Sequence, residues 1–168
     1  MFYNFCEGEN QKMVLDFEKG LEKVMEINPY IFSLLVDYGF EIDETTDAET
    51  LDRFLGEYNW DDGFAVPYLI TSHPNCELAT AVNAFWLAEG FVYFSDSFWS
   101  TSQGAEAQWK EFVVFITENI LGGAYKKGKL PYPKRWAEEL RMDIKKKQTG
   151  NPNDLIEPIL YGLGSAWE

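Results

Sequence analysis

The single histidine of the chain, His73, stands three residues before Cys76, and an adjacent carboxylate pair, Asp61 and Asp62, precedes it by about ten residues. A thiol at a helix N-terminus is favoured as thiolate, a nearby imidazole can take its proton, and a carboxylate can orient that imidazole. These four residues therefore have the composition of a Cys/His nucleophilic centre. The same H-P-x-C stretch serves equally as a turn between two helices, in which the imidazole and a carboxylate satisfy backbone groups and Cys76 fills a small apolar site. Free cysteine is among the most buried residue types, which favours the structural use. A structural zinc site takes four N or S ligands, and Cys6, Cys76 and His73 supply only three at unrelated spacing, so no metal is expected. The Asp43, Glu44, Asp47, Glu49 cluster lacks the glycine and oxygen spacing of a calcium loop. No glycine-rich phosphate loop, G-x-S-x-G or H-E-x-x-H occurs, and no cofactor is implied.

The elements that position these residues are helices. Apolar residues recur at helical spacing in nearly every window and period-2 alternation is scarce, which predicts an all-α single domain, a bundle of roughly seven to eight helices. Val14, Phe17, Leu21, Val24 and Met25 share one face of a first helix, with Gly20 tolerated inside it. Asn28-Pro29 caps and opens a second helix carrying Ile31, Leu34, Leu35 and Tyr38, closed by Gly39. Thr46 and Glu49 have the spacing of a capping box for a third, with Leu51, Phe54, Leu55 and Tyr58 inward and Asp52, Arg53 and Glu57 outward. Residues 64–72 form a short fourth helix. Asn75 is placed to cap a fifth, which carries Leu78, Val82, Phe85 and Trp86 and ends near Gly90. The aromatic run from Phe91 to Trp99 has no clean period, and core packing suits it better than a stacking platform for a ligand. A further helix holds Trp109, Phe112, Val113, Ile116 and Ile120 and stops at Gly122-Gly123. Beyond it lie a basic helix from Pro133 to Lys147 and a last helix from Asp154 to Leu163. The motif-bearing core is thus expected at about 47–95 and a basic C-terminal segment at about 126–168 of a single domain spanning 1–168.

Charge is polarised along the 168 residues. The chain has 28 acids against 14 bases, a net −14, and the first 104 residues hold 19 of the acids and only four of the bases. With 46% hydrophobic and 17% aromatic residues it can still build a packed core, so disorder is excluded as the general state. Nucleic acid and anionic membrane would both repel such a chain, and neither is an expected partner. The opening residues Met1-Phe2-Tyr3-Asn4-Phe5-Cys6-Glu7 lack a basic n-region and an apolar h-region, and no stretch is long enough to span a bilayer, so a cytoplasmic location is expected. Two cysteines make no disulfide framework. Ten acids against Arg53 alone lie between Asp37 and Asp62. Such a single-sign field steers a basic protein partner onto Asp43, Glu44, Asp47, Asp52 and Glu57, or else merely keeps a solvated face soluble.

Tyr58-Asn59-Trp60-Asp61-Asp62-Gly63, Pro67, His73-Pro74-Asn75-Cys76, Thr80-Ala81 and Phe85-Trp86 together resemble a bacterial family, domain of unknown function 4274, over about residues 51–95. Trp60, Asp61, Asp62, His73, Cys76 and Trp86 form the motif core. The family pattern has a glycine before the Thr-Ala step where this chain has Ala79, a difference that suits close helix packing. No activity is established for the family, so the resemblance implies a local architecture and no catalytic residues. Small acidic helical proteins of this kind also resemble immunity proteins, which neutralise a toxin by binding it in the cytoplasm. The expectation is a non-enzymatic protein-binding module, immunity-like or regulatory, with a small enzyme centred on Cys76 and His73 as the alternative.

Overall fold

Eight consecutive residues, Ala65 to Ser72, are all buried, and the rest of the molecule is arranged around them. The computed structural model describes residues 14–93 and 105–131. Its elements are α1 (Phe17–Ile27), α2 (Ile31–Tyr38), α3 (Ala48–Glu57), a 3-10 turn (Trp60–Asp62), α4 (Ala65–Ser72), α5 (Leu78–Leu87), the single-turn α6 (Gly90–Tyr93) and α7 (Ala105–Leu121). The fold is all-α; among the described residues the one extended pairing is an isolated parallel bridge between Glu77 and Lys126. The expected helices 133–147 and 154–163, and Cys6, lie outside the described residues, as does the aromatic run beyond Tyr93.

α4 is apolar on every side because it packs against α1, α2, α3 and α5, while α7 covers α5 and α6. Pro67 falls in the first turn of α4, where its missing N–H leaves no hydrogen bond unmade. On α1 the packed residues are Phe17, Gly20, Leu21, Val24 and Ile27. Gly20 is required rather than tolerated: a Cβ there would lie 2.4 Å from the Ser72 Cβ, so its absence sets how closely α1 crosses α4. Val14 and Met25, expected inward, are 83% and 45% exposed. Val14 precedes the helix, and Met25 lies about 100° around it from fully buried Val24.

Three helix starts differ from the expected caps for local reasons. The Asn28 side chain accepts from the Tyr30 N–H, which makes a turn and moves the start of α2 to Ile31. The Thr46 hydroxyl is already taken by the Asp43 N–H, so Asp47 caps α3 by accepting from the Thr50 N–H at 2.7 Å. Asn75 donates to the Thr46 carbonyl and does not cap α5, whose N-cap is Glu77. Gly39 closes α2 in the left-handed region at φ 67°, as a helix-terminating glycine should.

The core is rich in rings. Phe112 of α7 is fully buried and meets Trp60, Phe64, Tyr68 and Phe115 with ring centroids 5.4 to 6.5 Å apart. After α7 the chain turns at Gly123 and runs back past the start of α5. There Tyr125 is buried and donates its hydroxyl to the Thr71 carbonyl.

Candidate functional site

His73 follows α4 and is fully buried. Its Nδ1 accepts the Asn75 N–H at 3.0 Å, so the ring proton sits on Nε2 and is donated to the Asp43 carbonyl at 2.8 Å. The edge of the ring meets Phe17 at 5.1 Å between centroids. Both nitrogens are thus committed to backbone groups, one of them thirty residues away in sequence. The imidazole is the tie that holds the Asp43–Thr46 loop to the end of α4, and the Asn75 amide reinforces it through Thr46.

Cys76 is 1% exposed, and its thiol meets the Glu77 carbonyl at 3.7 Å. Burial pushes the thiol far up from its ordinary value, and the charges of Asp52 and Glu77 push it in the same direction. A nucleophilic cysteine needs the opposite environment, electropositive and open. Asp61 and Asp62 are exposed on the 3-10 turn, and the Asp62 carboxylate accepts the Tyr38 hydroxyl. That contact raises the Tyr38 phenol, because its proton is held between the two oxygens. Among the described residues no side-chain hydrogen bond joins any two of Cys76, His73, Asp61 and Asp62. The arrangement supplies neither a thiolate nor a free base, and its chemistry is that of a buried turn. In native protein at pH 8, Cys76 is expected to resist iodoacetamide and to be alkylated only after unfolding in urea, with the modified peptide identified by mass. Quick native alkylation at Cys76 would return it to the role of a nucleophile.

The acidic residues separate into two kinds. Asp43 accepts from the backbone N–H and hydroxyl of Thr45, and Asp47 caps α3; these bonds hold both carboxyls below their ordinary values. Asp52 is half-buried and accepts the Thr80 hydroxyl at 2.8 Å, which ties α3 to α5. Its expected outward role is therefore shared with an internal one. Glu57 is exposed and faces Arg53 at 3.5 Å, the usual weak contact of an i,i+4 surface pair. Arg53 also lies over the Phe54 ring. Glu44 is exposed with no side-chain bond among the described residues, and Glu41 and Glu49 are like it. The Asp43–Thr46 loop is thus pinned from beneath by His73 and Asn75 while carboxylates point outward above it.

Trp60 and Trp86 of the motif core serve packing. Trp60 is half-buried among Tyr58, Phe64 and Phe112, and Trp86 is 7% exposed against Phe85. Residues 46–121 match the family model described as Domain of unknown function (DUF4274). The DUF4274 match runs from the end of the acidic loop to the last turn of α7, wider than the motif-bearing stretch alone. It takes in the buried turn and the aromatic cluster, and it leaves α1 and α2 outside. No curated protein and no solved structure matches the chain. Among the described residues no group of histidine, cysteine and carboxylate side chains is placed to hold a metal ion, and no helix is long and apolar enough to cross a membrane.

Sequence reasoning passed over Glu77, and it missed the bonds that Tyr38, Asn75 and Thr80 make. Tyr38 stood as a core position, yet its hydroxyl also joins the end of α2 to the 3-10 turn through Asp62 and the Asn59 N–H. A Thr-Ala step inside an apolar helix was the available signal for Thr80, since a buried hydroxyl needs a partner.

Proposed function

We propose that this protein is a non-enzymatic binding module, immunity-like or regulatory, that presents the acidic surface from Asp37 to Asp62 to a basic protein partner. The observation that supports it is the Asp43–Thr46 loop, held in one shape by His73 and Asn75 with Asp43, Glu44 and Asp47 exposed. A pre-shaped charged surface loses little conformational freedom on binding, and its field speeds encounter with cations. Neither nucleic acid nor an anionic membrane suits that field. A cytoplasmic setting suits the free thiol of Cys76, which a reducing compartment keeps unpaired.

The test uses Glu41→Lys, Glu44→Lys and Glu49→Lys together, because these side chains hold no bond among the described residues, whereas reversing Asp43, Asp47 or Asp52 would also remove a turn, a cap or a helix tie. Purified wild type and variant serve as bait in native lysate at about 0.05 M and about 0.5 M salt, a range over which screening of exposed charges becomes nearly complete. A basic protein held by the wild type at low salt, and lost both at high salt and in the variant, is the expected result. Equal recovery by the folded triple variant would remove the acidic surface from the account.

A further inference from the structure

Glu77 stands at the N-cap of α5 and does not cap it. Asp16 and Asp47, in the same position on α1 and α3, each accept the backbone N–H three residues on, whereas the Glu77 side chain makes no such bond. Its carboxylate reaches the chain after α7 instead and accepts the Leu130 N–H at 2.9 Å. Gly128 passes so near that a Cβ there would lie 1.8 Å from the Glu77 Cδ. Among the described residues, the other hydrogen bond that holds residues 126–131 runs from the Leu78 N–H to the Lys126 carbonyl at 2.9 Å. Just before them the chain is fixed at buried Tyr125, whose hydroxyl donates to the Thr71 carbonyl. Residues 126–131 therefore form a strap with a firm base and a single side-chain fastening.

That fastening lies at the edge of the acidic surface. Glu77, Asp47, Asn75, Lys126 and Lys127 line one cleft of about 430 Å³ beside the first turn of α3. Lys126, Lys127 and Lys129 are exposed and make no ion pair among the described residues, so the strap is held by hydrogen bonds and not by its charges. The carboxylate has a second place to go. Swung back to its own helix it meets the N–H groups of the first turn of α5, where a negative charge is favoured. A group with two competing uses makes a two-state element that a third claimant can bias. An ammonium or guanidinium group entering the cleft beside Asp47 is such a claimant, since it offers the carboxylate a charged donor in place of a neutral N–H.

We propose that residues 126–131 are a strap latched shut by the Glu77 carboxylate, and that a lysine or arginine of a basic partner opens it by taking that carboxylate in the cleft beside Asp47. The partner's role rests on the acidic-surface reading, whereas the latch stands on the strap's own geometry. Closed, the strap competes with the partner for Glu77; opened, it leaves Glu77 and Asp47 together for the incoming cation.

Gly128→Ala in the full chain tests this. The added methyl group displaces the Glu77 carboxylate, so the latch breaks while every charge stays. Amide hydrogen exchange read by NMR should speed up about tenfold or more at Leu130, the effect of losing a hydrogen bond to a charged acceptor, and stay unchanged at Leu69 and Ile70 of α4. An oligolysine peptide at about 0.05 M salt should bind this variant about threefold more tightly, because the closed strap no longer competes for Glu77. Glu77→Gln loosens the same latch, so Leu130 exchange should rise there too. It also removes the charge that the cation takes, so oligolysine should bind it less tightly than the wild type. Wild-type exchange at Leu130 in both variants would overturn the latch. Faster exchange with the two affinities shifting in the same direction would overturn the cation's claim on Glu77. Faster exchange with no oligolysine binding by any of the three proteins would remove the acidic surface, and the partner's role with it, and keep the latch.

Discussion

Replacing His73 by alanine is expected to lower the free energy of unfolding by about 3–5 kcal/mol, read from urea denaturation at pH 7. The ring is fully buried, so its removal leaves a cavity. Its two hydrogen bonds go with it, which strips the Asp43 carbonyl and the Asn75 N–H of their partners. His73→Phe separates the two contributions: it keeps the ring volume and should still cost about 2 kcal/mol from the two unpaired backbone groups. The variants also test presentation of the acidic surface. Neither removes a carboxylate, yet both free the Asp43–Thr46 loop, so affinity for a basic partner should fall with the net charge of the surface unchanged. Wild-type denaturation midpoints in both variants would show that the imidazole ties nothing down.

The helices were written in the chain more plainly than their joints. The apolar periods of residues 51–58, 64–72 and 109–120 place α3, α4 and α7, because each helix buries one stripe or, for α4, its whole surface. The errors sit at starts, where several residues compete for the same few N–H groups. Thr46 and Asp47 are both good caps, and what separates them is that the preceding turn has already used the Thr46 hydroxyl. Pattern gave no access to long-range pairings at all. Asp52 occupies an outward helical position by spacing, and only the approach of α5 brings Thr80 to it. His73 stood out as a lone histidine near a cysteine, a spacing that suggests catalysis; its actual partner is a main-chain oxygen, which no residue type announces. Gly20 illustrates the same limit, since a glycine inside a helix looks like a defect until Ser72 of another helix is placed against it.

Stability should also fall steeply in alkali, and Cys76 accounts for the largest share. Its thiol is shifted far up from 9.0 by burial, with Asp52 and Glu77 adding to the effect. Burial likewise raises Tyr125 well above 10.0, and it raises Tyr58 and Tyr68. Above about pH 9 the unfolded chain releases the thiol proton while the folded chain keeps it, so the folded state binds more protons and stability drops as pH rises. The contribution is whole below the unfolded value and is lost progressively toward the folded one. The loss begins near pH 9 for Cys76 and near pH 10 for Tyr125, and each group costs about 1.4 kcal/mol per pH unit while the folded chain keeps its proton and the unfolded chain does not. Self-repulsion of an already acidic chain acts in the same direction, and a Cys76→Ala comparison isolates the thiol. Urea denaturation from pH 8 to 11 should show the wild type falling more steeply than Cys76→Ala by about 1.4 kcal/mol per unit above pH 9. Parallel profiles would mean that Cys76 ionises as readily in the folded chain as in the unfolded one. The iodoacetamide experiment reports the same property kinetically: a thiol that holds its proton through pH 9 to 11 is the one that stays unmodified at pH 8.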